Sequence, residues 1–332
     1  MQAGEINVAS KFLVRGRAAA LRAACTALQQ GNRWFARYRI GDALTIAGVP
    51  RGGTTWLAEL LGSMPGTTTL WEPLRRGVRA TPLGFGWRPH IPEDVEWPAA
   101  EQLFRDLWTG RCLHPELLPG VTGPQLLRTR RWLLKFCRLN RLLPWLTNRL
   151  PIRPPILLVR HPCAVVASQL RFGAWDHVPS RYRIPQTPYH EVYERWHDIL
   201  HSLSTREEVL AATWCLDHWF PLTHPRHDRS WIGCSYEALA LNPTEELQRL
   251  SRRLDLRFPR EVYERTDRPS RTVRPGSPIL RGQRREQLSG WRRTLSSQQI
   301  DRVLRTVDRF GLSDVYTDAL EPNYERISSS AP

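Results

Sequence analysis

The sequence predicts an α/β fold of three layers, with a central, mainly parallel sheet flanked by helices. Three observations point there. Short runs with strand character recur at ALTIAG (43–48), TTTLW (67–71), WLLKF (132–136), PILLV (155–159) and WIGCSY (231–236). Segments with apolar residues at helical spacing lie between them, and strands that alternate with helices assemble into parallel sheets. PILLV is apolar throughout, as expected for a strand covered by helices on both faces.

In chain order, residues 1–40 read as a basic helical extension. Its amphipathic stretch from Phe12 to Leu28 is suited to docking, capping or peripheral contact with a membrane. A single domain is expected over 41–312. Leu57, Leu60 and Leu61 mark a helix after the first strand, and Leu247, Leu250 and Leu254 mark another after Asn242-Pro243. Near the end, Ser296 and Gln299 are spaced as a capping box. Ile300, Val303, Leu304 and Val307 share one helix face, and Gly311 is the stop. Residues 75–128 lose periodicity among Pro, Gly and aromatic residues, and are read as an acceptor-binding or lid segment. Residues 313–332 are read as a poorly ordered tail.

Composition narrows the function. A formal charge of +16 invites a nucleic-acid partner. However, only Lys11 and Lys135 are lysine, and the arginines are spread along the whole chain. With no helix-turn-helix, zinc-finger or aromatic RNA-binding signature, no nucleic acid is expected. Six dispersed cysteines without a C-x-x-C pair imply a reducing, cytoplasmic setting. The N-terminus does not read as a secretory signal, and no apolar run is long enough to span a bilayer. His197 with His201, and His224 with His227, lack a third ligand, so no metal is expected.

The strand at 43–48 runs into GVPRGGTTW, with four residues between Gly48 and Gly53. This is the outline of a phosphate-binding P-loop, but Thr54 and Thr55 stand where a triphosphatase has Lys and Ser or Thr. Successive N–H groups and a helix N-terminus would still surround an anion. Gly52 and Gly53 admit a close backbone approach, Thr54 and Thr55 add hydroxyls, and Arg51 would cover the outermost group. A tight turn without a ligand is the alternative. In ILLVRHPCAVVASQL a second strand ends at Arg160, Pro162 takes a favoured first helical position, and Ser168 follows. Arg160 and Ser168 can converge on a further phosphate. Together the two loops describe a ligand with two separated anionic groups.

These stretches resemble the sulfotransferases. VPRGGTTWL resembles their 5′-phosphosulfate loop and RHPCAVVAS their 3′-phosphate motif. SYEALALNPTEEL resembles the segment whose Tyr contacts adenine, here Tyr236. RREQLSGW resembles the late loop over the 3′-phosphate, with Arg284 and Arg285 ahead of Trp291. The resemblance runs in order over roughly residues 43–310. It implies a P-loop-like fold and 3′-phosphoadenosine-5′-phosphosulfate, PAPS, as sulfuryl donor, with no metal. It also places Arg51 at the breaking S–O bond and stacks Trp56 on adenine; the alternative for Trp56 is a core tryptophan.

The base is expected to be Glu72 in TLWEPLRRG, a carboxylate following a strand. Carbohydrate sulfotransferases resembling this chain use a glutamate there; the other reading is a surface residue paired with Arg75, Arg76 or Arg79. The cytosolic type instead uses a histidine two residues after a lysine. Here Lys135 is kept but Cys137 takes the histidine's place, which favours Glu72. Lys135 is read as a cation for a sulfuryl or bridging oxygen, or as a lysine extending from a strand end. The tryptophans Trp87, Trp97 and Trp108 suit a carbohydrate acceptor, a small-molecule, lipid or natural-product acceptor, or a large core. A P-loop kinase and a non-catalytic anion binder are the competing readings.

Overall fold

The computed structural model describes residues 2–35, 37–75, 88–185, 188–273 and 283–328, with backbone only through residue 15. All five expected strands are present: β1 Leu44–Ala47, β2 Thr67–Trp71, β3 Arg131–Phe136, β4 Ile156–Val159 and β5 Ile232–Ser235. They form one parallel sheet in the order β2-β3-β1-β4-β5. The chain builds β2 and β3 on one side of β1 before crossing to β4 and β5 on the other. The crevice beyond the carboxyl end of β1 is therefore a topological switch point, the usual ligand position in such sheets.

The helices in chain order are α1 Gln2–Trp34, α2 Thr54–Leu61, α3 Pro98–Trp108, α4 Gly123–Leu127, α5 Leu143–Arg149, α6 Pro162–Leu170 and α7 His197–Ser202. They continue with α8 Arg206–Leu222, α9 Tyr236–Leu241, α10 Pro243–Arg253, α11 Arg260–Glu264, α12 Arg284–Ser289, α13 Ser297–Arg309 and α14 Tyr324–Ile327. Because strand side chains alternate, β1, β3 and β4 feed two cores. Leu44, Ile46, Leu133, Ile156 and Leu158 pack with α2, α9 and α10. Ala47, Leu134, Phe136, Leu157 and Val159 pack on the other face with Trp108, Trp145 and Trp214.

The C-terminal helix follows its sequence signals. Ser296 and Gln299 make the capping box at the start of α13. At its end Gly311 takes φ 69°. There the N–H of Gly311 bonds Asp308 O (2.8 Å) and that of Leu312 bonds Val307 O (3.1 Å), a Schellman ending. Pro162 opens α6 as expected, and the His161 ring caps it by accepting from the Cys163 N–H.

Three stretches differ from expectation. Residues 76–87, with Arg76, Arg79 and Trp87, lie outside the described set. The remainder of the segment read as irregular contains α3 and α4, with Pro98 in the first turn of α3 and a Thr122–Gln125 capping box on α4. Pro98, Gly123 and Pro124 open these helices, whereas Pro89, Pro92, Pro119 and Gly120 lie in turns and irregular stretches. Trp108 is fully buried and stacked on Phe136 at 5.7 Å, so it is a core residue and not a platform for a sugar; Trp97 is partly buried against the same core. The α1 helix is longer than expected and buries Leu21, Ala24, Cys25 and Leu28. No described helix is long and apolar enough to cross a membrane.

The expected tail is packed through residue 328, while 329–332 lie outside the described set. Tyr316 and Ile327 are buried, and the Tyr316 hydroxyl bonds Glu237 Oε2 at 2.7 Å. On the edge strand β5, Asp228 Oδ1 accepts from Gly233 N–H (3.0 Å) and Arg249 donates to Gly233 O (2.6 Å). These bonds occupy edge groups that could otherwise pair with another chain. A Cβ at Gly233 would fall on the Ile327 carbonyl. Gly233→Ala should therefore expel the end of the chain, lowering stability in urea by about 1–3 kcal/mol and speeding tryptic cleavage after Arg326; an unchanged digestion rate contradicts this.

Candidate functional site

The loop from Gly48 to Gly53 joins β1 to α2. A Cβ at Gly48 would lie 2.5 Å from Thr54 Cγ2, and one at Gly53 would lie 2.3 Å from the Tyr236 ring. Gly53 also holds φ 92°, as helix N-cap, a conformation that favours glycine. The turn closes through Gly52 N–H on Val49 O (2.9 Å). The Gly52 amide is thus spent inside the loop, and Gly52 does not line the cleft, which departs from its expected ligand role. Thr54 and Thr55 begin α2, where the first N–H groups of a helix lack intrahelical acceptors.

The second loop closes on the first. The Arg51 Nε donates to Ser168 Oγ (2.9 Å), and its guanidinium lies 4.7 Å above the Phe172 ring. Arg160 donates to the Arg51 carbonyl (2.9 Å) and lies 4.4 Å above the Tyr236 ring. Its buried Nε has no partner. Ser168 thus meets Arg51 directly, where the sequence paired it with Arg160. Trp56 packs edge-on against Tyr236 at 5.9 Å, and both reach the cleft although each is almost fully buried. Trp56 is consequently a core residue that also reaches the cleft.

The tip of β4 is fixed by groups that the sequence did not single out. Trp214 donates to the Arg160 carbonyl (3.0 Å), Glu237 accepts from the His161 N–H (3.0 Å), and Gln169 donates to Pro50 O (3.0 Å). Glu237 also accepts from Ser235 (3.1 Å) and from Tyr316, so the packed C-terminal segment supports the loop. Burial pushes the His161 pKa down to about 4, so its ring stays neutral as it stacks on Trp291. Glu237 adjoins Tyr236, but no spacing rule marks a carboxylate that works through a remote tyrosine.

Arg284 and Arg285 are not brought to the cleft. Arg284 donates to Ala240 O and Thr266 O, and the exposed Arg285 pairs with Glu321. The turns of α12 point these residues away while turning Gln287 inward, and Trp291 follows into the cleft. Gln283, Glu286, Gln287 and Gly290 follow the i, i+3, i+4, i+7 spacing of one helix face, and Arg284 and Arg285 fall outside it.

The third group sits where β2 and β3 end. The register pairs Trp71 with Lys135, which places Glu72 beside the lysine; its N–H bonds Lys135 O at 2.8 Å. The Lys135 ammonium is ion-paired to Glu72 Oε1 and lies 3.1 Å from Cys137 Sγ. Cys137 N–H donates to Glu72 Oε2 (2.9 Å), and Arg138 approaches that oxygen at 3.7 Å. Thr54 Oγ1 reaches Cys137 Sγ at 3.4 Å, linking this cluster to the glycine loop. Burial alone would raise the Glu72 pKa, but Lys135, the hydrogen bonds and Arg138 prevail and hold it below the ordinary carboxylate range. Burial would lower that of Lys135, yet Cys137 and Glu72 hold it above its ordinary value. Glu72 is a largely buried ion-paired group, not a surface residue.

Arg51 and Thr54 of the glycine loop, Arg160 and Ser168, and the Glu72–Lys135 pair line one cleft of about 1590 Å³. Among the described residues no cluster of His, Cys, Asp or Glu is arranged to hold a metal ion. No protein-family model and no curated protein matches the chain. Solved structures that resemble it include the following three. The sulfotransferase domain from the curacin biosynthetic pathway is 14% identical with a TM-score of 0.44, covering 82% of this chain and 98% of that one. The sulfotransferase domain from the Synechococcus PCC 7002 olefin synthase is 16% identical at 0.43, covering 82% and 98%. Mouse sulfotransferase SULT7A1 complexed with PAP is 14% identical at 0.42, covering 86% and 90%.

The Lys135–Glu72 pair has a testable sign. With its folded pKa depressed, Glu72 contributes stability above its unfolded value near 4.5, and that stability is lost as pH falls through the folded value. Lys135→Met should cost roughly 3 kcal/mol in urea at pH 7, and the deficit should shrink as pH drops below 4.5. A deficit independent of pH contradicts the pairing.

Proposed function

We propose that the protein transfers a sulfuryl group from PAPS to a hydroxyl of its acceptor. The observation that supports this is the meeting of three groups in one cleft: the glycine loop with Arg51, the β4 tip with Arg160, and the Glu72–Lys135 pair. The buried, unpartnered Arg160 Nε is a cation with capacity to spare for an anion. The donor, when bound, supplies an activated sulfuryl group whose charge is lower than that of a terminal phosphoryl group.

Each residue has a distinct task in this reading. The N–H groups at Thr54 and Thr55 face the 5′ end of the donor. Arg51 stabilises charge on the oxygen released when the S–O bond breaks. Arg160 holds the 3′-phosphate, and Ser168 holds Arg51 and shares that anion. Tyr236 and Trp56 bound the adenine side. Glu72 is ionised and takes the proton of the acceptor hydroxyl, while Lys135 remains charged beside it. Carbohydrate is the first acceptor class to test, on the volume of the cleft and its cationic lining. Hydroxyls of small natural products come next.

Calorimetry with adenosine 3′,5′-bisphosphate tests the donor site. Submillimolar binding without magnesium is expected, weakened at least tenfold in Arg160→Ala; equal affinity for ATP would count against PAPS. For the base, Glu72→Gln should keep bisphosphate binding while turnover falls by about a hundredfold or more. A fully active variant removes Glu72 from the mechanism.

A further inference from the structure

The cleft has a second cationic wall that the donor does not explain. Arg75, Arg88 and Arg138 line it beside Glu72. Arg88 is only 5% exposed, and its buried Nε has no partner. Its backbone is held at φ 61°, an uncommon conformation for a residue with a side chain. Burial first, then the charges of Arg141 and Arg138, pull its pKa down to about 9.

The charges do not balance. Asp217 is ion-paired with Arg88 and also accepts from Arg141 at 2.8 Å, while Arg141 donates to Tyr193. Glu72 is shared by Lys135 and Arg138. Among the described residues, the ion pairs of Lys135, Arg138, Arg88 and Arg141 are made with two carboxylates, Glu72 and Asp217, so four cations share two carboxylates. Burying charge without compensation is costly, and one guanidinium would suffice for Asp217. In the chain of contacts, Thr54 meets Cys137, Cys137 meets Lys135, Lys135 meets Glu72, and Glu72 meets Arg138. Arg138 lies 3.7 Å from Glu72 Oε2, and in the sulfuryl-transfer reading Glu72 is the group that meets the acceptor hydroxyl, so the surplus borders the acceptor.

The geometry points to an acceptor that carries an anionic group, a carboxylate or a sulfate, next to the hydroxyl being sulfated, with Arg88 and Arg138 holding that group. This inference rests on the sulfuryl-transfer reading and adds to it a specificity determinant. Arg88 is the distinguishing residue because it has no role in donor binding. A neutral acceptor would leave the wall uncompensated after binding as before.

The test uses the full chain and matched acceptor pairs: a uronate against its methyl ester, and a sulfated sugar against the unsulfated sugar. Binding is read by calorimetry on protein saturated with adenosine 3′,5′-bisphosphate, and transfer by labelled sulfate from PAPS. The anionic member of at least one pair should bind at least tenfold more tightly, and the pair that responds separates carboxylate from sulfate. Arg88→Gln should reduce that preference to less than threefold without changing bisphosphate affinity, and Arg88→Lys should restore part of it. Equal binding of both members by the wild type, or a preference retained in Arg88→Gln, overturns the inference. Absent bisphosphate binding marks failure of the donor reading itself, and the inference falls with it.

Discussion

The parallel register of the sheet is the constraint from which the site follows. Hydrogen bonding aligns Ile46 with Lys135 and Lys135 with Trp71, so β1, β3 and β2 finish at one level. The pairing of Ala47 with Leu157 sets β4 beside them. A slip of one residue would turn Lys135 to the opposite face, into the other apolar core. It would also separate Glu72 from its cation. The glycine loop, the Arg160 tip and the Glu72–Lys135 pair are neighbours because four strand ends are coplanar, not because the sequence brings them close.

The strand tips are then locked to one another by side chains. Arg160 bonds the Arg51 carbonyl, Arg51 bonds Ser168, and Gln169 bonds Pro50. The guanidinium that would hold one anion therefore also shapes the loop that would hold the other. Such coupling is a form of preorganisation: the groups are positioned before a ligand arrives, so less ordering remains to be done on binding. Support from behind comes from Trp214, Glu237 and the docked Tyr316.

Electrostatics divide the cleft into unequal halves. At the loop, amides and two arginines offer partial and full positive charge to a ligand. At the end of β3, Lys135 and Glu72 hold each other ionised, so neither is free of the other's field. A carboxylate kept below its ordinary range is a weak base in isolation. Its capacity to take a proton depends on how far Lys135 and Arg138 are drawn toward other oxygens as ligands fill the cleft.

Much of this was legible in the sequence. Alternating short apolar runs and helical segments determined five strands and a parallel sheet, because local periodicity is a direct record of which faces are buried. Gly53, Pro162 and the Ser296–Gln299 box likewise act within a few residues of themselves. Tertiary structure alone decided the rest. It placed Ser168 against Arg51, turned Arg284 and Arg285 away by a helical rotation, buried Trp108, docked Tyr316 under the β4 tip and gathered Arg88, Arg138 and Arg141 into one wall. Contacts between residues dozens to more than a hundred positions apart are set by sheet order and helix rotation, and neither quantity leaves a periodic trace in the chain.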